Sequence, residues 1–161
     1  MSIQRFENGP RMSRVVVHND TVYLAGLTAD ATVGKSVGEQ TKEIAMTIQR
    51  FENGPRMSRV VVHNDTVYLA GLTADATVGQ SVAKQTEEIL GKIDGLLKQG
   101  GTDKSKLLQA TIWLQDIRVV DEFNKVWDAW VVAGSGPARA CIEARLQSPA
   151  KMIEIQVTAA R

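Results

Sequence analysis

The chain has 161 residues, of which 43% are hydrophobic and 23% charged, and a net charge of +1. That length supports one well-buried core and falls short of two ordinary domains, and the composition has no disordered or collagen-like bias. A charge this close to zero gives no field that would gather nucleic acid or an anionic membrane surface, and no apolar run approaches the ~20 residues of a membrane-spanning helix. Met1-Ser2-Ile3-Gln4-Arg5-Phe6-Glu7 carries no apolar stretch of secretory type. The single cysteine, Cys141, has no partner for an internal disulfide, and no Cys/His cluster has metal-ligand spacing. The expectation is a cytoplasmic protein without a bound metal.

An internal repeat dominates the first half. Residues 1–45 align without gaps on 46–90 and differ at six positions: Ser2/Thr47, Lys35/Gln80, Gly38/Ala83, Glu39/Lys84, Lys42/Glu87 and Ala45/Leu90. A solenoid stacks several units, whereas this is one partial duplication. Two segments are therefore expected: 1–45, a partial duplicate of a domain's first strands and helix start, and 46–161, the complete domain. The second copy runs on into Gly91-Lys92-Ile93-Asp94-Gly95-Leu96-Leu97, so that Val82, Ile89, Ile93, Leu96 and Leu97 make one apolar stripe at helical spacing. The first copy has Gly38 in place of Ala83, which costs about 0.5–1 kcal/mol inside a helix, and Ala45 in place of Leu90. The second copy is expected to win the native slot. The first is left as a spare hairpin with a frayed helix, loosely attached or paired with a sheet edge.

Along 46–161 the pattern predicts a weak strand over Thr47–Phe51, a breaker at Asn53-Gly54-Pro55, and β-branched strands over Arg59–His63 and Thr66–Leu72 around an Asn64-Asp65 turn. Ala74–Gly79 reads as loop, and Gln80–Gln99 as a helix closed by Gly100-Gly101. A turn at Asp103–Lys106 leads to a strand, Leu107–Gln115, with Leu108, Ala110, Ile112 and Leu114 on one face. Val120–Val132 reads as a second helix with Phe123, Trp127 and Val131 on one side, broken by Gly134-Ser135-Gly136-Pro137. Ala138–Leu146 alternates, Ala140 and Ile142 opposing Arg139, Cys141 and Glu143, and Lys151–Ala160 places Ile153, Ile155 and Val157 inward and Glu154 outward. This order fits an α+β domain: a mixed sheet of about six strands with two helices on one face. The uncovered face is expected to carry Arg139, Cys141 and Glu154 and to meet a partner chain.

Gly136-Pro137-Ala138-Arg139-Ala140-Cys141-Ile142-Glu143 resembles the RidA/YjgF family, supported by Ile153-Glu154-Ile155, by Phe123-Asn124-Lys125-Val126-Trp127, and by Asn53-Gly54-Pro55 and Leu69-Ala70-Gly71. The resemblance spans all of 46–161. It implies a chorismate-mutase-like fold, a homotrimer with clefts between adjacent subunits, and cofactor-free hydrolysis of reactive 2-imino or enamine acids to 2-oxo acids and ammonia. The implied catalytic residues are Arg139 and Glu154; Cys141, Gly71, Ala70, Arg56, Asn124 and Trp127 would line the substrate.

The residue types suit that chemistry. Arg139 offers a planar, permanently charged fork for a carboxylate, and Glu154 can position or deprotonate a water for attack on a C=N carbon. Cys141 reads as a small filler, with no histidine relay to activate it. His18 and His63 are one hairpin-end histidine seen twice. Archetypal members carry Tyr where this chain has Arg56 and Ser where it has Ala70, so two polar cleft groups are replaced and a cation is added. Those departures support the alternative of a non-catalytic carboxylate-binding or regulatory trimer. Ribonuclease activity, also attached to the family, finds no basic stripe or RNA-stacking motif here. The reading of the repeat predicts that a chain truncated to 46–161 stays folded, with a cooperative thermal transition by circular dichroism; loss of that transition would refute it.

Overall fold

The structure is a computed structural model that describes residues 3–8, 13–18 and 21–24 and the continuous stretch 48–161. The chain divides into two units, Met1–Ala45 and Met46–Arg161. In the first, β1 (Ile3–Asn8), β2 (Ser13–His18) and β3 (Thr21–Leu24) form an antiparallel sheet in the order β1-β2-β3. The helix start expected of this copy falls within 25–45, outside the described residues.

The second unit opens with the same meander: β4 (Gln49–Asn53), β5 (Ser58–His63) and β6 (Thr66–Leu69). Its register is that of the first copy, Gln49 opposite Val62 where Gln4 stands opposite Val17. Identical alternation has produced identical pairing. There follow β7 (Leu72–Thr73), α1 (Val82–Gln99), β8 (Leu107–Leu114), α2 (Val120–Trp130), β9 (Ala138–Glu143) and β10 (Ile153–Ala160), with short 3-10 turns at Lys104–Lys106 and Ile117–Val119. The strands build one seven-stranded sheet in the order β4-β5-β6-β10-β8-β9, with β7 also on β10. All pairs are antiparallel except β8 with β9. A parallel pair needs a crossover, which α2 supplies.

Several boundaries differ from the sequence expectation for local reasons. Helix α1 starts at Val82 because the Ser81 hydroxyl accepts from the Lys84 amide, satisfying one of the unpaired donors of the first turn. It ends at Gly100, where a Cβ would stand 2.6 Å from Val67 Cγ1, so no larger residue fits between helix and sheet. The strand expected over Thr66–Leu72 breaks at Ala70-Gly71. Leu108, expected on the face of Ala110, Ile112 and Leu114, is 51% exposed. A register shift against Thr158/Ala159 turns Leu107 inward instead.

The core lies between one face of the sheet and the helices. Val60, Val62, Val67, Leu69, Ala110, Ile112, Leu114, Ile153, Ile155 and Val157 meet Val82, Ile89, Ile93 and Leu97 of α1 and Phe123 and Trp127 of α2. The predicted α1 stripe is buried in full. The alternate residues of these strands point the other way; Tyr68 of β6 is exposed there, as is Ile142 of the edge strand β9.

Glu88 of α1 ties the loop after β7 to the helix. Its carboxylate accepts from the amides of Asp75 (2.8 Å), Ala76 (3.2 Å) and Thr77 (2.8 Å) and from the Thr77 hydroxyl (2.6 Å), and it pairs with Lys92 at 2.6 Å. Burial pushes this carboxyl up, but the bonds from Lys92, Thr77 and the two amides of Asp75 and Ala76 outweigh it and hold the group well below the usual carboxylate range. Such depression stabilises the fold above the ordinary carboxyl value of 4.5, and the contribution is lost as pH falls below it. Glu88→Gln is therefore expected to cost about 1–3 kcal/mol at pH 7, with the gap in Tm to the native chain closing on acidification. A gap that stayed constant down to strongly acid pH would contradict this origin.

Candidate functional site

Strand β9 carries Arg139 at the sheet edge. Its parallel register sets Arg139 beside Ala110 and Cys141 beside Ile112, both of which face the helices. Arg139 and Cys141 thus lie on the helix-covered side, and Ala140 and Ile142 on the open side. Helix α2 receives the guanidinium: Nη2 donates to Asn124 Oδ1 at 3.1 Å, and Cζ lies 5.6 Å from the centre of the Phe123 ring and 5.4 Å from that of Trp127. Two aromatic faces and one amide hold a flat cation in a set orientation while the head remains exposed. Burial pushes the neighbouring Cys141 thiol up, more than the Arg139 charge pulls it down, which favours the neutral, weakly nucleophilic form.

Glu154 is on the other side. It stands between Trp113 of β8 and Thr73 of β7, pointing away from the Ile153 and Ile155 core row. Its carboxylate lies over Gly71: a Cβ on that glycine would be 3.0 Å from Glu154 Cδ and in still closer conflict with Oε1. The missing side chain is what makes room for the carboxylate beside the backbone.

The expectation that Arg139, Cys141 and Glu154 share the uncovered face is therefore corrected. The alternation along β9 was legible, but at an edge strand both faces are exposed, so burial preference did not say which set pointed to the helices; the parallel register with β8 decides it. Arg139, Asn124, Trp127 and Cys141 form one group, with Phe123 as a further contact that reads in the sequence only as a core residue. Glu154 and Gly71 form a second group. Ala70 adjoins it, half-buried, its amide donating to the Arg59 carbonyl at 3.0 Å. Arg56 is exposed on the β4–β5 turn.

Among the described residues, two hollows share Glu52 and Arg59, and the smaller borders the second group at Gly71. One of about 310 Å³ is lined by Gly71, Thr73, Lys151, Arg59, Asp75 and Met57, among others. Another of about 650 Å³ runs along α1 past Lys92, Leu96 and Lys98. Neither is lined by Arg139 or Glu154. Among the described residues no group of three or more His, Cys, Asp or Glu could hold a metal ion, and no helix is long and apolar enough to cross a membrane.

The family model described as "Endoribonuclease L-PSP" matches residues 47–161. A RutC family protein of Haemophilus influenzae is 42% identical over 159 residues, covering 99% of this chain and 98% of that protein. The RutC family protein YoaB of Escherichia coli is 45% identical over 71 residues, 44% of this chain and 62% of that protein. Among solved structures, a YjgF-family protein from Neisseria meningitidis superposes with a TM-score of 0.69 at 43% identity, covering 72% of this chain and 96% of that one. The seven-stranded sheet, its two helices, the Arg139 motif and these likenesses agree: the chain belongs to the Endoribonuclease L-PSP family, the group of RutC and YjgF proteins.

Proposed function

We propose that the protein hydrolyses reactive 2-imino and enamine acids to 2-oxo acids and ammonia in clefts between the protomers of a homotrimer, Arg139 coming from one protomer and Glu154 with Gly71 from the next. One observation carries this reading: the two groups lie on opposite sides of a single sheet. One protomer alone does not join them. In a closed ring of identical subunits each interface is head-to-tail, so one surface of a copy faces a different surface of its neighbour. Such an arrangement is able to set the Arg139 edge of one copy against the Glu154 face of another.

The chemistry then divides by charge. Asn124 takes one Nη2 hydrogen; among the described residues no other partner holds the guanidinium, whose remaining donors can grip the substrate carboxylate bidentately. This fixes C2 of the imine against Glu154. A water gives its proton to Glu154 as its oxygen bonds to C2. Glu154 returns that proton to nitrogen, giving the carbinolamine; it then carries the hydroxyl proton to the same nitrogen as the C2–O double bond forms, the C2–N bond breaks, and ammonia leaves the 2-oxo acid. Atoms and electrons balance with water as the only co-reactant.

Arg56 and Ala70 favour a second reading, in which the same cleft binds a small carboxylate without turning it over and serves regulation. Steady-state assay separates the two. Imines generated by an amino acid oxidase or dehydratase are expected to lose ammonia faster with the protein present. Arg139→Ala is expected to lower that acceleration by about a hundredfold or more, and Arg139→Lys, which keeps the charge and loses the fork, to fall between. If Arg139→Ala matched the native protein, the enzymatic reading would fail; carboxylate binding by calorimetry without turnover would establish the second.

A further inference from the structure

Lys151 is a cation beside the proposed site that the chemistry above does not use. Lys151 lies just before β10, and its Nζ donates to Thr73 Oγ1 at 2.8 Å. It lines the 310 Å³ hollow together with Gly71, Thr73, Arg59, Asp75 and Glu52. Lys92 is shared between Glu88 at 2.6 Å and Asp75 at 2.8 Å, Asp75 also lies within the field of Lys151, and Glu52 meets Arg59 at 3.6 Å. Among the described residues Lys151 enters no ion pair. It is tethered by a neutral hydroxyl that takes one of its three donors.

Its position relative to Glu154 is set by β7. Thr73, which holds Lys151, pairs in register with Glu154, and Gly71, which the carboxylate overlies, precedes Thr73 by two residues. Residues two apart in an extended chain point to the same side, about 7 Å apart. A carbon arm of two methylenes ending in a carboxylate spans about 4 Å beyond C2, and a charge-assisted hydrogen bond adds about 2.8 Å. A substrate whose C2 sits at Glu154 and whose side chain ends in a carboxylate therefore reaches the Lys151 ammonium. A side chain without that charge leaves Lys151 to solvent and gains nothing from it.

We infer that Lys151 is a specificity-determining cation that selects dicarboxylic 2-imino acids, those of the glutamate class, over monocarboxylic ones. The inference deepens the deaminase reading and rests on it for the placement of C2. The α-carboxylate goes to Arg139 of the adjoining protomer, C2 to Glu154, and the side-chain carboxylate to Lys151. The reaction that supplies such a substrate is a two-electron oxidation of an acidic amino acid at its C2–N bond, the electrons passing to the flavin or nicotinamide of an oxidase or dehydrogenase.

Binding reads the selection independently of turnover. Calorimetry of the full-length protein with 2-oxoglutarate and with 2-oxobutanoate is expected to show the dicarboxylate bound about ten- to a hundredfold more tightly, the range of one added charge-assisted hydrogen bond. Lys151→Met should bring the ratio of the two dissociation constants close to one, and Lys151→Arg should keep it well above one, which controls for loss of fold. The inference is overturned if the native protein shows no preference, if the preference survives in Lys151→Met, or if neither acid binds. Imine hydrolysis assayed alongside keeps the two readings apart. A Lys151-dependent preference with no hydrolysis of either imine sinks the deaminase reading and leaves the Lys151 assignment standing. Hydrolysis with a ratio unchanged by Lys151→Met does the reverse.

Discussion

Alternation along the strands governs where every candidate group in this protein stands. A strand turns successive side chains to opposite sides. Burial of Val60, Val62, Val67, Ile112, Ile153 and Ile155 under the two helices therefore fixes the direction of all their neighbours. Glu154 faces away from the helices because Ile153 and Ile155 face towards them. Arg139 lies on the helix side because β9 pairs in parallel with β8, Arg139 beside Ala110. Slipping that register by one residue would exchange the two sides of β9 and remove Arg139 from its contacts with Asn124, Phe123 and Trp127. The core residues hold the register: truncating a fully buried isoleucine to alanine costs about 2–5 kcal/mol, a large share of the whole stability of a domain this size.

Polar interactions refine what the core sets. Glu88 gathers three loop amides and a hydroxyl at the end of β7, and Lys92 joins it to Asp75. This loop follows directly on Leu72-Thr73, the short strand that positions Thr73 beside Glu154. An interaction on the stability side of the ledger therefore also holds the backbone beneath a candidate functional carboxylate. On the opposite side, Asn124 and two aromatic rings limit the freedom of Arg139, which in the proposed site would reduce the entropy that binding must overcome.

Much of this was legible in the sequence. The α1 stripe from Val82 to Leu97, the β10 alternation and the placing of Phe123 and Trp127 on one side of α2 follow from periodicity alone, and the Gly136–Glu143 motif pointed to the family. What periodicity could not supply was anything that depends on register between distant strands. The bulge that turns Leu107 inward and exposes Leu108 is a property of the β8–β10 pair, set by residues some fifty positions apart in sequence. The side on which Arg139 lies is a property of the β8–β9 pair. Lys151 gave no signal of its own, since its place beside Thr73 depends on β7 meeting β10. The duplication is plain in the sequence, and its second appearance of the same meander, with the same register, follows from it.

The central claim is that one working site takes Arg139 and Glu154 from different protomers, and subunit mixing tests it most directly. Arg139→Ala and Glu154→Gln, each inactive alone in imine hydrolysis, would be unfolded together in equal amounts and refolded as mixed assemblies. If the two residues come from neighbouring chains, some interfaces pair an intact Arg139 with an intact Glu154, and activity returns to about a quarter of the native level under random mixing in a ring with head-to-tail interfaces. A mixture as inactive as its two components would contradict a site shared between protomers.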